Sequence, residues 1–374
     1  MKKNFIFFAW IFFPAAFISV LATAGCSRAP EPEGINIVRA LSETLPNDCF
    51  QAASRPADIV FPRDSGPHNA FRTEWWYYTG NLETPEGRHF GYQLTFFRHA
   101  FSCEPAAGPS KWRTRQLYFS HYALTDTETG RFYSKFRMNR ESLGIAGAQA
   151  SPYRVWIDDW QVREKDGGLF LEASDEGLRL DLTLFAEKPV ILQGDKGFSR
   201  KGPEPFNASY YYSLPDIKTS GKVEINGTAF SVRGRSWFDH EWSTSALSAS
   251  TSGWDWFSIH LEDGRSLMLC RIRNREGISN GFGFGSLSRS DGRVRILSET
   301  EFRLSPTRYW ESPATGKRYP LSWEISIPSE NLFLLATPVI QNQEHTHMVT
   351  YWEGAVRFTG KGIKGSGYVE LTGY

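Results

Sequence analysis

Arg72-Thr-Glu-Trp-Trp-Tyr-Tyr-Thr-Gly-Asn-Leu82, followed by Gly91-Tyr-Gln-Leu-Thr-Phe-Phe-Arg98, is the stretch whose reading decides the fold. Both runs are dense in aromatic and β-branched residues, the composition of strands. Glu74 is set beside large apolar rings, as a buried pocket requires and a solvated sheet face does not. A second copy lies at Gly253-Trp-Asp-Trp-Phe-Ser-Ile-His-Leu-Glu-Asp-Gly-Arg265. Tyr78 to Glu83, a turn ending at Gly87 and Arg88, and Phe90 to Phe97 lie over Phe257 to Glu262, Asp263-Gly264-Arg265 and Leu267 to Ile272. The chain therefore reads as one plan used twice.

Working outward, turn signals recur at Glu86-Gly87, Thr129-Gly130, Asp166-Gly-Gly168, Asn226-Gly227, Asp263-Gly264, Asp291-Gly292 and Thr315-Gly316. Asp-Gly and Asn-Gly between alternating runs mark hairpins. The only helix candidate is 35–45. Up-and-down hairpins of this kind favour closed barrels or sandwiches. Length suits two domains, and the boundary is placed near Leu214-Pro215-Asp216, giving 56–215 and 216–374 as two tandem antiparallel β-barrels.

Lys2 and Lys3 precede an apolar run from Phe5 to Ala24, then Gly25-Cys26. This has the order of a signal peptide, 1–25, and Ala-Gly-Cys resembles a lipoprotein lipobox in which Cys26 is acylated. Thr23 stands where leucine is usual. An uncleaved membrane anchor is the alternative. Residues 26–55 then read as a tether, and the expected location is the periplasmic face of the envelope, with Ser27 favouring the outer membrane. In an oxidising compartment two of the remaining cysteines can pair; whether Cys49 and Cys103 do so is left open by the sequence, while Cys270 reads as a buried free thiol.

The formal charge is +1, with no basic stripe, which makes nucleic acid a poor partner. Aromatics are 15% of residues, enough to line large apolar cavities. No Cys-x-x-Cys occurs. Gly277-Ile-Ser-Asn-Gly281 has the serine-hydrolase spacing without its strand–turn–helix setting, so it is read as a hairpin loop. His345 and His347 would share a strand face, but no third ligand is evident and no metal is expected.

These segments resemble the lipocalin-like family that holds carotenoid 1,2-hydratases, fungal kievitone hydratases and the AttH-type proteins. The resemblance rests on Thr73–Gly80, Gln93–Arg98, His121–Asp126, Val155–Trp160, Leu192–Gly194, Ser236–Trp242, Gly253–Trp256, Tyr351–Gly354 and Gly367–Tyr374. It implies two lipocalin-like (calycin-type) barrels and hydration of isolated alkenes, with pericyclic cyclisation in fungal relatives. In the hydratases the His and Trp of an Asp-His-x-Trp motif are implicated in catalysis, which falls on His240 and Trp242. The downstream segment that supplies an acid in those enzymes corresponds to Ser266–Arg273, which has no carboxylate.

Alkene hydration needs a protonated acid, shelter for a cation and a placed water, and no cofactor. If the motif is extended, Asp239 and Glu241 point to one face and His240 and Trp242 to the other. Trp254 and Trp256 share a face opposite Asp255. Glu74, Trp76 and Tyr78 share another, with Arg98 and His121 as further polar candidates. The predicted catalytic set is His240, Asp239, Glu241, Trp242 and Asp255, with His240 and one of the carboxylates in a common cavity. The ligand-binding set is Glu74, Trp76, Tyr78, Arg98, His121, Trp254 and Trp256. The alternative for Glu74, Arg98 and Asp255 is a buried ion-pair network closing the barrels. The partner is expected to be a hydrophobic isoprenoid, lipid or pigment. A non-enzymatic carrier working with an ABC exporter, or a purely structural lipoprotein, are the other functional classes.

Overall fold

The computed structural model describes residues 49–104 and 108–374. The signal segment, Cys26, the tether to residue 48 and the helix candidate at 35–45 lie outside the described residues.

The first sheet begins with β1 (Thr73–Glu83), β2 (His89–Ala100), β3 (Gln116–Asp126) and β4 (Arg131–Arg140). It continues through β5 (Ala146–Ala150), β6 (Tyr153–Ile157), β7 (Trp160–Lys165), β8 (Gly168–Asp175) and β9 (Leu178–Ala186). It ends with the short β10 (Ile191–Leu192) and β11 (Phe198–Arg200) and the long hairpin β12 (Ala208–Ile225) and β13 (Thr228–Ser243). The second sheet opens with β14 (Thr251–Leu261), β15 (Ser266–Asn274), β16 (Phe284–Ser288) and β17 (Val294–Ser298). It closes with β18 (Arg303–Glu311), β19 (Arg318–Ile327), β20 (Leu332–Pro338), β21 (Glu344–His345), β22 (Tyr351–Gly360) and β23 (Ile363–Thr372).

The strand orders are β4-β3-β2-β1-β13-β12-β9-β8-β7-β6-β5 and β17-β16-β15-β14-β23-β22-β20-β19-β18. In each, the first strand of the half lies between its own hairpin partner and the last strand of the half. The plan is used twice, as two lipocalin-like antiparallel sheets: one nearly closed barrel and one half-barrel. Side chains finish the first barrel's seam. Arg137 of β4 pairs with Asp159 and donates to the Ser174 carbonyl (2.9 Å).

The sequence boundary near 215 needs correction. Pro215 and Asp216 lie inside β12, at a bulge between Leu214 and Ile217. A proline is tolerated at a bulge because it need not donate to the ladder. The first sheet therefore runs on to Ser243, and the chain passes to the second sheet between Ser243 and Thr251.

Burial explains the aromatic stretch that opened the reading. β1 is buried almost throughout, whereas β9 alternates buried and solvated positions. One face of β1 fills its barrel and the other packs on the second sheet, so both faces are apolar. Between the sheets lies a core that includes Tyr77, Tyr211, Trp237, Trp256, Met268 and Tyr368. Gly91 permits the closest approach: a Cβ there would stand 2.6 Å from the Ala355 Cβ. Asn81 Nδ2 donates across to the Gly367 carbonyl (3.0 Å) and Thr125 Oγ1 to Gln343 Oε1 (2.8 Å). Cys49 and Cys103 form a disulfide, the pairing the sequence left open, and Cys270 is a buried free thiol.

Candidate functional site

Strand alternation sorts the candidate residues into separate environments. Tyr77 pairs with Asp239 and Trp76 with His240 across β1 and β13. Glu74, Trp76, Tyr78, His240 and Trp242 turn into the first barrel. Trp75, Tyr77, Asp239 and Glu241 turn toward the second sheet.

Inside the barrel, Glu74 is the hub. Its Oε1 accepts from His68 Nδ1 (2.7 Å) and His240 Nε2 (2.8 Å), and its Oε2 from Arg98 Nε (2.9 Å). Arg98 is fully buried and also donates to Gln116 Oε1 and to the carbonyls of His68 and Phe71. Burial pushes the Glu74 carboxyl up, but the Arg98 charge, then His68 and its hydrogen bonds, hold it well below the usual carboxylate range. Burial lowers His240 to about 4 against the pull of Glu74. His68 stacks on Trp242 with ring centroids 3.6 Å apart and planes within 3°.

His68, Glu74 and His240 are the one set of converging potential metal ligands among the described residues. Their hydrogen bonds already use the ligand atoms on one another, and Arg98 lies against the same carboxylate. That is the donor set of a satisfied ion-pair cluster. His345 and His347 belong to no set of three such ligands among the described residues. His345 stacks on Tyr351 instead.

The second environment is a cavity of about 90 Å³ between the two sheets, walled by Trp75, Tyr77, Trp254, Trp256 and Phe284. Four carboxyl groups reach it: Asp239, Glu241, Glu353 and Glu370. Lys201 Nζ lies 2.8 Å from Glu241 and is the only cation in the lining besides the imidazole of His121. Burial lowers His121 to about 3, so it brings no charge at neutral pH.

The remaining acids differ. Asp239 accepts from Ser213 Oγ (2.5 Å), Trp237 Nε1 (2.7 Å) and Tyr211 Oη (2.7 Å). Ser213 itself accepts from Gln193, and Tyr211 from Trp256, so both hydroxyl protons point at Asp239. Burial raises Asp239 to about 7 against these three donors. Glu370 Oε1 accepts from Trp254 Nε1 (3.0 Å) and Thr372 Oγ1 (2.8 Å), and burial outweighs both and lifts it to about 7. Neither oxygen of Glu353 has a hydrogen-bond partner, and burial followed by the nearby Glu370 drives it far above the carboxylate range.

The expected cavity shared by His240 and an acid of the 239–255 segment is not formed. His240 faces the barrel because it is one residue from Asp239 on an extended strand. Asp255 also turns away from the cavity, into the second barrel, where Arg271, Arg273 and the Tyr374 hydroxyl hold it. The segment from Asp239 to Trp242 is the last strand of the first barrel and pairs beside Glu74 to Tyr78 rather than facing it. Arg98 and His121 do not form one cluster, since they lie on opposite faces of the sheet. Of the predicted residues, Asp239, Glu241, His121, Trp254 and Trp256 meet at the cavity. Glu353, Glu370, His68 and Lys201 were not anticipated.

A family model described as AttH-like matches residues 52–374. The chain belongs to the AttH-like family. A Nitrosomonas europaea protein described as an AttH, solved by crystallography, is 34% identical, with 87% of this chain and all of that one aligned at a TM-score of 0.78. The kievitone hydratase of Fusarium solani subsp. phaseoli is 29% identical over 280 residues, 68% of this chain and 77% of that protein. Dehydratase asqC of Emericella nidulans is 23% identical over 216 residues, 54% of this chain and 60% of its own length. The crystal structure of kievitone hydratase from Nectria haematococca shares the fold at a TM-score of 0.65 and 16% identity, over 89% of this chain.

Proposed function

We propose that this AttH-like protein is a hydro-lyase that adds water to, or removes it from, an apolar molecule held between its two barrels. The observation that carries the reading is the apolar, aromatic-walled cavity in which burial raises the carboxyls of the neighbouring Glu353 and Glu370 toward or above neutral pH. A protonated carboxyl can deliver its proton to an alkene carbon, and the faces of Trp75, Trp254 and Trp256 can shelter the resulting cation. Water adds to that cation, and the reverse sequence dehydrates an alcohol. Likeness to kievitone hydratase and to a dehydratase supports this class. A cavity of about 90 Å³ suits the reacting end of an isoprenoid-, lipid- or pigment-like substrate, with the remainder in the mouth.

The leader and Cys26 support a lipid-anchored protein at the periplasmic face of the outer membrane, and the Cys49–Cys103 disulfide is in keeping with that compartment. The second reading is a carrier that hands an apolar ligand to an exporter. It is favoured by the absence of a carboxylate in Ser266–Arg273, where hydratase relatives have one.

Purified protein incubated with isoprenoid alkenes in H₂¹⁸O separates the two. Enzyme-dependent incorporation of ¹⁸O into an alcohol product supports the hydro-lyase. Stoichiometric ligand recovered from the native host, with no turnover of any alkene or alcohol, sinks it in favour of the carrier.

A further inference from the structure

We propose that Glu353 and Glu370, directly paired across β22 and β23 on the cavity face, hold one proton between them and serve as the acid and base of this site. The inference rests on the hydro-lyase reading for its chemistry and on the unliganded protein for its geometry.

The two glutamates are direct cross-strand partners. Side chains so paired stand with Cβ atoms about 5 Å apart, and both line the same cavity, Glu353 buried and Glu370 half-buried. Two carboxylates at that separation in an apolar, aromatic-walled cavity repel one another, so ionising one raises the other and the pair retains its first proton. No cation relieves them, because Lys201 is bound to Glu241. The surroundings offer few donors. Trp254 and Thr372 satisfy one oxygen of Glu370. Tyr351 Oη lies 2.6 Å from His121 Nδ1 and accepts from Gln93 Nε2; it and Tyr77 approach Glu353 closely enough to lower it in part, but burial and Glu370 outweigh them. The Tyr77 hydroxyl is buried and unpartnered, as are both oxygens of Glu353. Asp239 and Glu241 of β13 add negative charge from the facing sheet. Asp239 is the weaker candidate for the acid, since three donors with no other use for their protons fix it as an acceptor.

The step balances without a cofactor. The proton of one glutamic acid goes to an alkene carbon as the π electrons form the C–H bond. A water lone pair forms the C–O bond to the adjacent cation. The water's proton goes to the other glutamate, leaving one proton on the pair as before. Dehydration runs the same path backward.

Infrared titration of the unliganded, full-length chain tests the pair. A protonated-carboxyl C=O band should persist at pH 8 in the wild type and in Asp239→Asn. Its midpoint should fall by at least one pH unit in Glu353→Gln or Glu370→Gln, and it should vanish in the double variant. A wild-type band that survives in the double variant, or single variants with unchanged midpoints, overturns the pairing. With a substrate found by ¹⁸O incorporation, each single variant should lose about 10²-fold or more in kcat while near-ultraviolet circular dichroism stays native. Turnover undiminished in the double variant removes the pair and leaves the hydro-lyase reading intact. A titrating pair in a protein that converts no substrate removes the hydro-lyase reading and leaves the pair.

Discussion

On the equivalent first strands of the two sheets, Glu74 pairs with Arg98 and Asp255 pairs with Arg271, two residues out of step with the hairpin overlay that sets Tyr78 on Phe257. Both acids are completely buried and both are held by the arginine directly across the hairpin. Their neighbours differ. Beside Glu74 the adjoining strands bring Trp76, His240 and Trp242, and beside Asp255 they bring Phe257, Val369 and Leu371. The acid–arginine pair thus occurs also in a barrel that brings no imidazole to it, only Arg273 and the Tyr374 hydroxyl, so it is part of how each barrel closes. The imidazoles are an addition to the first. The faces turned toward each other follow the same correspondence, and there Glu241 of β13 matches Glu370 of β23, and Tyr211 of β12 matches Glu353 of β22. Acid is concentrated where the two copies meet, and that meeting surface is the cavity.

The largest expected effect is on stability. Glu74→Ala leaves the guanidinium of Arg98 buried without a counter-charge and should cost about 3–5 kcal/mol in urea unfolding. Asp255→Ala should cost less, about 2–3 kcal/mol, because a fifth of the Arg271 side chain reaches solvent and the buried Arg273 keeps the Thr372 carbonyl and the face of Tyr374. Equal losses would mean that the imidazoles add nothing to the first cluster.

Two pH effects of similar size and opposite sign come next. His240 is held neutral in the folded state, at about 4 against 6.5. The unfolded chain therefore binds the proton first. The contribution of His240 is complete above pH 6.5 and is lost as pH falls toward 4, amounting to about 3 kcal/mol. Val369 has no such response, so acid should loosen β1 and β13 before β14 and β23, read by hydrogen exchange at pH 5 and pH 7. Loss of protection in the second sheet first would contradict this. Glu370 works in the other direction, since its folded value is raised from 4.5 to about 7. Its contribution is complete below pH 4.5 and disappears as pH rises through 7. Glu370→Gln should therefore gain about 3 kcal/mol on the wild type between pH 4.5 and pH 8. A pH-independent difference between the two proteins would show that Glu370 is ionised throughout.

The repeat, the strand identity and the sorting of Asp239 and Glu241 from His240 and Trp242 were legible in the sequence, because each follows from a period of two. The site itself was only half legible. Density of aromatics around Asp239 drew attention to the whole segment, yet alternation sends its histidine and its acids to opposite faces. Glu353 and Glu370 left a fainter signal: single acids in the otherwise uncharged runs Tyr351–Val356 and Gly367–Thr372, an anomaly in strands that are largely buried, Glu370 being the half-buried position of its run. Their pairing is a register between strands, which no local pattern prints. His68 lies outside any strand and gains its role only because Arg98 binds its carbonyl. Pro215 reads as a breaker, and only the bulge explains why it was not one.

The smallest effect asks whether the first barrel's extra polar residues act as one unit. His68 caps the cluster from the segment before β1, with 14% of its side chain exposed. Its backbone N–H also donates to Glu74 Oε2 (2.9 Å), a bond that substitution leaves in place. In His68→Ala, Glu74 would keep Arg98 and His240, and the stack on Trp242, the bond to Glu74 and the longer contact with Asp64 (3.3 Å) would go. The loss should be about 1 kcal/mol, with Trp242 more open to acrylamide quenching. A loss approaching that of Glu74→Ala would make the imidazoles, and not the acid–arginine pair, the element that holds the first barrel, and the equivalence with Asp255 and Arg271 would then be one of position alone.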